Sequence, residues 1–192
     1  MFYLSEYNTE SDFNSVSSGL SAPHVAVIYG DNDNNKVNYI GLNNTIRYTA
    51  SAKLNEANKS AQGYPYVSGL HTDSFGGLKI IEHTFADGVG IIKFNGKVTT
   101  IAANAFWACS SITNIMLPNR VESIGSGAFY GCTRLESITC RAMTAPTCYT
   151  ETFRDVKTDG TLYVPQGSSG YDSWMSTSDY FLGKYNWTKV EQ

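Results

Sequence analysis

The sequence has little of several features that would define a function class. Charged residues make up only 16% of its 192 residues, and 14 Lys and Arg stand against 17 Asp and Glu, for a net charge of -3. A chain without a basic surplus lacks the surface that phosphate backbones require. No apolar run approaches the ~18 residues that a membrane helix needs. Residues 1–6 show no signal peptide, so either the chain is exported without one or a signal has been removed. We therefore expect no nucleic-acid partner and no membrane insertion.

The sequence also lacks the motifs of catalysis and metal binding. Its three histidines, His24, His71 and His83, lie far apart, and no Cys/His zinc spacing, phosphate-binding loop or nucleophile elbow occurs. Because His83 lies in a strand-like stretch between Glu82 and Thr84, we interpret it as a surface or hairpin-edge residue. We expect a protein that is not an enzyme and has no catalytic, cofactor-binding or metal site.

One pattern is written twice, over residues 98–117 and again over residues 121–140. When Val98 is aligned with Val121, each apolar anchor of the first copy falls on another apolar residue or on Cys. A fixed period of about 20–30 residues is typical of a solenoid of stacked coils. Extending the register in both directions predicts about four parallel rungs, at residues 91–94, 114–117, 137–140 and 161–164.

The alternation of side chains along these rungs predicts which residues face outward. We take the outward residues as the candidate partner-binding face. They form two columns: Ile91, Asn114, Ser137 and Thr161 in one, and Lys93, Met116, Thr139 and Tyr163 in the other.

The four cysteines fit the interior of such a solenoid. Cys109 and Cys132 occupy the same place in the two repeats, and Cys140 takes the inward place of Leu117. Buried thiols are favoured over disulfides on this spacing, because free Cys behaves as a small apolar residue. A link between Cys140 and Cys148 stays open.

The segment 1–79 does not show the repeat. Phe13, Val16 and Leu20 are spaced as one face of a short helix. Residues 24–29 and 36–40 resemble two strands of a hairpin, joined by a polar tract that we interpret as a solvated Asx-rich turn rather than a calcium loop. We therefore predict an α+β chain with a helix and hairpin unit at 1–45, a linker or junction at 46–79 and the repeat domain at 80–192.

The residues of the repeat carry a family resemblance. The pattern Val-x-x-Ile-x-x-x-Ala-Phe-x-x-Cys, followed by Ile/Leu-x-x-Ile, resembles the BspA-like class of leucine-rich repeat. Thr139-Cys-Arg-Ala-Met-Thr-Ala-Pro146 and the aromatic segments after residue 170 resemble the C-terminal end of that family in gut Bacteroidetes. The resemblance covers residues 80–192 and implies adhesion or host-surface binding. A helix and hairpin unit followed by such repeats is similar in organisation to some phage-associated fibre or accessory proteins.

A short solenoid must cover its two ends, where strand edges and interior side chains would otherwise be exposed. We expect the hairpin at 78–94 to cover one end and a cluster of aromatic residues to cover the other, with a sugar-stacking platform as the alternative for that cluster. The cluster consists of Tyr171, Trp174, Tyr180, Phe181, Tyr185 and Trp187.

Two functions follow from these observations. The first is a non-enzymatic recognition or adhesion module that displays the rigid solenoid face to a protein or glycan on a cell surface. The alternative is a structural component of a virion or fibre, which would dock onto other subunits through residues 1–79. The expected location is accordingly the cell surface, the extracellular space or a virion.

Overall fold

Each repeat folds into one coil of a solenoid. A strand on one side of the coil carries the inward Ile and Leu residues, a turn follows, and a shorter strand lies on the opposite side. Ile138 pairs with Ile115 in the parallel strand before it, so one coil stacks on the previous one in the register that the repeat predicts. The predicted solenoid of parallel coils is confirmed.

The computed structural model describes residues 29–30, 37–38, 43–57, 69–178 and 180–192. The chain divides into two compact units, Met1–Asn43 and Asn44–Gln192. In the first unit, β1 (Tyr29–Gly30) pairs antiparallel with β2 (Val37–Asn38), which agrees with the predicted hairpin. The predicted helix through Phe13 and the polar tract at 31–36 lie outside the described residues.

Within the described ranges, no α-helix occurs and only two short 3₁₀ helices are present, at Tyr171–Ser173 and Leu182–Tyr185. The described residues therefore give no support to the helical part of the predicted α+β fold class. The second unit is a β-solenoid, because the side of the coils opposite the main sheet is formed by short paired strands, at 100–101, 123–124 and 147–148, and not by a helix. No helix in the described part of the chain has the length and apolar character to cross a bilayer.

The main sheet of the second unit has seven strands in the order β14-β13-β11-β9-β3-β7-β6. The strands β9, β11, β13 and β14 are parallel to one another, while β3 runs antiparallel to both of its neighbours. The strands are β3 (Thr45–Ala50), β6 (Ile80–Ala86), β7 (Val89–Phe94), β9 (Ile112–Leu117), β11 (Ser137–Cys140), β13 (Thr161–Val164) and β14 (Thr188–Glu191).

The position of β3 corrects one prediction. The rung at 91–94 does not lie beside the rung at 114–117, because β3 is inserted between β7 and β9. Ile46, Tyr48 and Ala50 of β3 are buried, so this strand contributes a full inward face to the core. The bulky Tyr48 is accommodated by Gly90, where a Cβ would overlap the Tyr48 ring. The fourth strand of the parallel set is β14, at the other end of the sheet.

Smaller strand sets complete the coils. A parallel three-stranded sheet runs along the side opposite the main sheet, in the order β12-β10-β8. A further parallel pair joins residues on either side of the segment 58–68. These strands are β4 (Glu56–Ala57), β5 (Leu70–His71), β8 (Thr100–Ile101), β10 (Ser123–Ile124) and β12 (Thr147–Cys148).

A column of aromatic rings fills the solenoid interior. Phe106 stacks on Phe129 with 5.3 Å between ring centroids, and Phe129 stacks on Phe153 at 5.8 Å. Trp174 continues the column at 5.3 Å from Phe153 in a tilted arrangement. The Ala residue before each of the first two Phe residues is fully buried, as close approach between coils requires.

The cysteines are free thiols in the interior. Cys109, Cys132 and Cys140 are buried, and Cys148 is partly exposed. Burial raises the pKa of the Cys132 thiol to about 12 and that of Cys109 well above its ordinary value. These thiols therefore pack as apolar groups, as the spacing of the repeats predicts.

The aromatic C-terminal segment covers the end of the solenoid. Tyr171, Trp174 and Trp187 are buried, and each donates a hydrogen bond to a backbone carbonyl: Tyr171 Oη to Ala142 (2.8 Å), Trp174 Nε1 to Pro146 (3.0 Å) and Trp187 Nε1 to Lys157 (2.7 Å). A buried ring whose polar atom is satisfied stabilises the fold without a desolvation cost. These three residues act as the expected cap.

Candidate recognition surface

The outward face of the main sheet presents two neighbouring rows of side chains. We call the first the mixed row because it combines aliphatic, aromatic, cationic and hydroxyl groups. In sheet order, the mixed row is Thr84, Ile91, Arg47, Met116, Thr139, Tyr163 and Val190. The second, which we call the polar row, is Ala86, Val89, Thr49, Asn114, Ser137, Thr161 and Thr188.

The structure brings most of the predicted face residues together. Met116, Thr139 and Tyr163 are direct neighbours in the mixed row, as the second predicted column requires. The first predicted column is likewise continuous in the polar row, through Asn114, Ser137 and Thr161.

The two residues predicted from β7 are displaced in register. Ile91 lies in the mixed row rather than beside Asn114, and Lys93 pairs with Thr45 outside both rows. Insertion of β3 causes the displacement, because β7 takes its register from β3 and not from β9. The shift spans an even number of residues, so Ile91 and Lys93 still face outward and are exposed.

The sequence interpretation missed Arg47, which lies at the centre of the mixed row between Ile91 and Met116. Its neighbours Ile46 and Tyr48 are buried, whereas Arg47 is partly exposed. The alternation of apolar and polar residues over 45–50 is a signal that Arg47 faces outward. Its place beside Met116 has no local signal, because strand order is set by contacts distant in sequence.

The polar row is held by a ladder of side-chain hydrogen bonds. Asn114 Nδ2 donates to Thr49 Oγ1 at 2.6 Å, and the hydroxyls of Thr49 and Thr113 lie 2.7 Å apart. On the next strand, Ser137 Oγ donates to Asn114 Oδ1 at 2.6 Å. These polar groups already have partners, so the ladder fixes the strands but leaves few groups for a ligand.

The mixed row has the composition of a protein interface. Aromatic residues, Met and Arg are enriched in such interfaces, and Arg47, Met116 and Tyr163 supply all three types. Two aliphatic side chains extend the row toward its ends, since Ile91 and Val190 are each 38% exposed. The mixed row is therefore the stronger candidate for contact with a partner.

Comparison with known families connects this scaffold to one repeat class. The model of the BspA type leucine rich repeat region matches residues 74–168 as six copies. The repeat region belongs to the BspA-like leucine-rich-repeat family. Proteins built from these repeats are typically non-enzymatic interaction modules, and no catalytic family matches. Comparisons with curated proteins and with solved structures find no match.

A second polar cluster lies beneath the N-terminal end of the BspA-like repeats. His83 is on the edge strand β6, but its side chain is not at the surface, being only 2% exposed. Its Nε2 lies 2.8 Å from Tyr48 Oη, and its Nδ1 lies 2.7 Å from a carboxylate oxygen of Glu56. His83 lies at the hairpin edge, which is one of its two interpretations, but the other, a surface side chain, is wrong because pairing with Ile92 turns it to the inward face.

A backbone N–H group also donates a hydrogen bond to the cluster of Tyr48, His83 and Glu56. The backbone N–H of Leu54 donates to Tyr48 Oη at 3.2 Å. Burial raises the pKa of the Tyr48 hydroxyl, since this residue is only 1% exposed. Because this hydroxyl and the imidazole use their hydrogen-bonding capacity on one another, the cluster acts as a clamp joining three chain segments.

A ladder of aromatic rings and cations runs along the back of the BspA-like coils. Trp107 and Tyr130 stack at 4.0 Å, and the guanidinium of Arg154 lies 5.3 Å from Tyr130 and 5.4 Å from Tyr180. Glu151 holds Arg154 at 2.9 Å. Because neighbouring rings and cations cover one another, this ladder stabilises the coils and is a poorer platform for sugar stacking than open rings would be.

The described residues include no group of three or more His, Cys, Asp or Glu side chains that could hold a metal ion. The candidate site is thus a surface of neutral, apolar and cationic side chains on the sheet.

Proposed function

We propose that this chain is a recognition module whose mixed row binds a protein on a cell surface. The observation that supports the proposal most is the uninterrupted row through Arg47, Met116 and Tyr163 on a sheet fixed by the polar ladder beside it. Preorganised side chains lose little entropy on binding, which favours affinity. A glycan partner would instead favour open rings and free polar groups, which this face has in smaller number.

The proposal is tested by truncating two side chains of the mixed row. Met116→Ala with Tyr163→Ala removes the largest neutral contacts while leaving the inward face unchanged. If these side chains are interface hot spots, each contributes about 2 kcal/mol, so either truncation alone lowers affinity ~30-fold and the double variant lowers it further. The measurement is flow cytometry of labelled protein on candidate cells, in parallel with a glycan array.

The chain offers a matched control for this experiment. Met143 and Tyr149 are 57% and 55% exposed and lie outside the main sheet. Met143→Ala with Tyr149→Ala removes the same two side-chain types and should leave binding within about twofold of the wild type. An equal loss of cell binding in both double variants would contradict a role for the mixed row. If the protein bound only to the glycan array, the partner would be a glycan and not a protein.

The alternative of a virion or fibre component rests on the first unit, Met1–Asn43. The strand Thr45–Ala50 is embedded in the solenoid sheet, so within the segment 1–79 of that alternative these six residues are not available for docking. We propose that Met1–Asn43 acts as a separate domain in either function. Light scattering on the purified chain separates the two, because an obligate assembly subunit would not persist as a stable monomer at low concentration.

A further inference from the structure

The last strand of the sheet, β14, has an open edge. Thr188 N–H donates to Gly160 O at 2.9 Å and Gln192 N–H donates to Val164 O at 3.0 Å, so both point toward β13. Backbone groups alternate in direction along a strand, and the N–H and C=O groups of Lys189 and Glu191 therefore point away from the sheet. In the described chain, β14 pairs with β13 alone. An edge of this kind is a template for another strand.

The side chains at this edge carry opposite charges two positions apart. Lys189 and Glu191 flank Val190, and the side chains of the two charged residues point to the same face. If a second copy of β14 pairs antiparallel and Val190 faces Val190, each Lys189 lies opposite Glu191 of the second copy. The same register brings the outward backbone groups of Lys189 opposite those of Glu191, as a hydrogen-bonded antiparallel pair requires.

Other registers are disfavoured by charge. The backbone N–H and C=O groups that point away from the sheet in one copy must face the same groups of the other copy. The two strands can therefore shift only in steps that keep Lys189 and Glu191 at hydrogen-bonded positions. Sliding the strands to the next such register in either direction places Lys189 opposite Lys189 or Glu191 opposite Glu191. Like charges directly opposite each other destabilise a strand pair, so one register is selected.

We propose that two copies of this chain associate through their β14 edges, antiparallel and centred on Val190. The pairing joins the two main sheets into one and makes the two mixed rows continuous, because Val190 ends the row in each copy. The surface formed by the two joined mixed rows is twice as long as one row and has two-fold symmetry. A partner with repeated epitopes would then be held at two places.

The contact is small, since the strand has only four residues. An interface below the standard size of about 1,600 Å² gives weak, reversible association. We expect a dissociation constant between about 1 μM and 1 mM, with association that rises with protein concentration. Surface ion pairs add little affinity, so their main effect here is to set the register.

Charge reversal at the edge tests the proposal in the full chain by sedimentation velocity over a series of concentrations. Glu191→Lys places Lys opposite Lys at two positions, and Lys189→Glu places Glu opposite Glu. Each variant alone should stay monomeric at concentrations where the wild type dimerises. An equimolar mixture of the two should dimerise again, because every cross-strand pair is then Lys with Glu.

The controls separate loss of pairing from loss of folding. Lys189 also contacts Asp172 at 2.5 Å, and Glu191 accepts a hydrogen bond from the Gly167 N–H at 3.2 Å. Each charge variant therefore also disturbs a local contact. Because only folded chains can pair, recovery of the dimer in the mixture shows that both variants are folded. Glu191→Pro removes an N–H that points away from β13 and should abolish the dimer with little change in melting temperature. Glu122→Lys makes the same charge change at an exposed residue away from β14 and should leave the dimer intact.

Three results would overturn the proposal. One is a wild-type chain that is monomeric at every concentration, as expected if the edge instead accepts a strand from another protein. The second is a dimer that Glu191→Lys and Glu191→Pro leave unchanged, and the third is a mixture of the two charge variants that stays monomeric.

Discussion

The clamp formed by Tyr48, His83 and Glu56 gives the sharpest prediction about stability. Tyr48→Phe removes one oxygen and leaves the ring in place over Gly90. The Leu54 N–H, 3.2 Å from that oxygen, and His83 Nε2, 2.8 Å from it, both lose their partner. Each buried polar group left without a partner costs about 1–3 kcal/mol, so with two such groups the variant should lose roughly 2–6 kcal/mol of unfolding free energy.

This loss is a large part of the ~5–15 kcal/mol that stabilises a typical domain. For a chain of this length it corresponds to a decrease in melting temperature of roughly 4–24 °C. Urea denaturation followed by circular dichroism measures the free energy directly. Tyr163→Phe is the matched control, because Tyr163 lies on the outward face and is partly exposed, and it should change stability by less than about 0.5 kcal/mol.

A double-mutant cycle then tests whether the three side chains act as a unit. Glu56→Ala removes the carboxylate that holds His83 Nδ1 at 2.7 Å. Combined with Tyr48→Phe, it should lose less stability than the two single losses together, by more than about 0.5 kcal/mol, since both act through one imidazole. The reasoning is refuted if Tyr48→Phe costs no more than Tyr163→Phe, or if the two losses are additive.

Two further predictions concern the core. Gly90→Ala should destabilise the chain by about 1–3 kcal/mol or prevent folding, because the added methyl group would overlap the Tyr48 ring, and combining it with Tyr48→Ala should cost less than the sum of the two single losses in the same urea experiment. A Gly90→Ala chain as stable as the wild type would contradict the close approach of β3 and β7. The three buried thiols, Cys109, Cys132 and Cys140, should resist iodoacetamide at pH 8 in the native chain and react in urea, because burial raises the pKa of each, to about 12 for Cys132, and the reactive thiolate appears only above the raised pKa. Rapid labelling of any of these three cysteines in the native chain, followed by mass spectrometry, would show that its burial is incomplete.

The coil architecture could be predicted from the sequence because the repeat is local. Each coil closes within one repeat, and Ile115, Ile138 and Leu162 form the buried column that the repeat register indicates. The same register places Met116, Thr139 and Tyr163 side by side. A periodic signal that is written along the chain specifies both the coil and its outward side chains.

The insertion of β3 could not be predicted in the same way. Residues 45–50 have strand alternation, but their partners in β7 and β9 lie far along the chain, and no periodic signal connects them. The predicted columns differ from the structure at the same place, because Arg47 enters the mixed row and Lys93 leaves it only when β3 is inserted.

The inward direction of the His83 side chain was missed for a different reason. Alternation along β6 separates two faces of the strand but does not say which face meets the core when both carry polar residues. The inward position is decided by Tyr48 and Glu56, which supply the hydrogen bonds that a buried imidazole needs.

One charged substitution in the middle of the mixed row tests most directly whether this row binds the partner. Thr139 lies between Met116 and Tyr163 and is partly exposed, so Thr139→Glu places a carboxylate within the row while the inward face stays intact. Thr147→Glu makes the same change at an exposed residue of the opposite sheet. In the cell-binding measurement, we predict that Thr139→Glu abolishes binding and Thr147→Glu preserves it. Full binding by a folded Thr139→Glu chain would contradict binding through the mixed row.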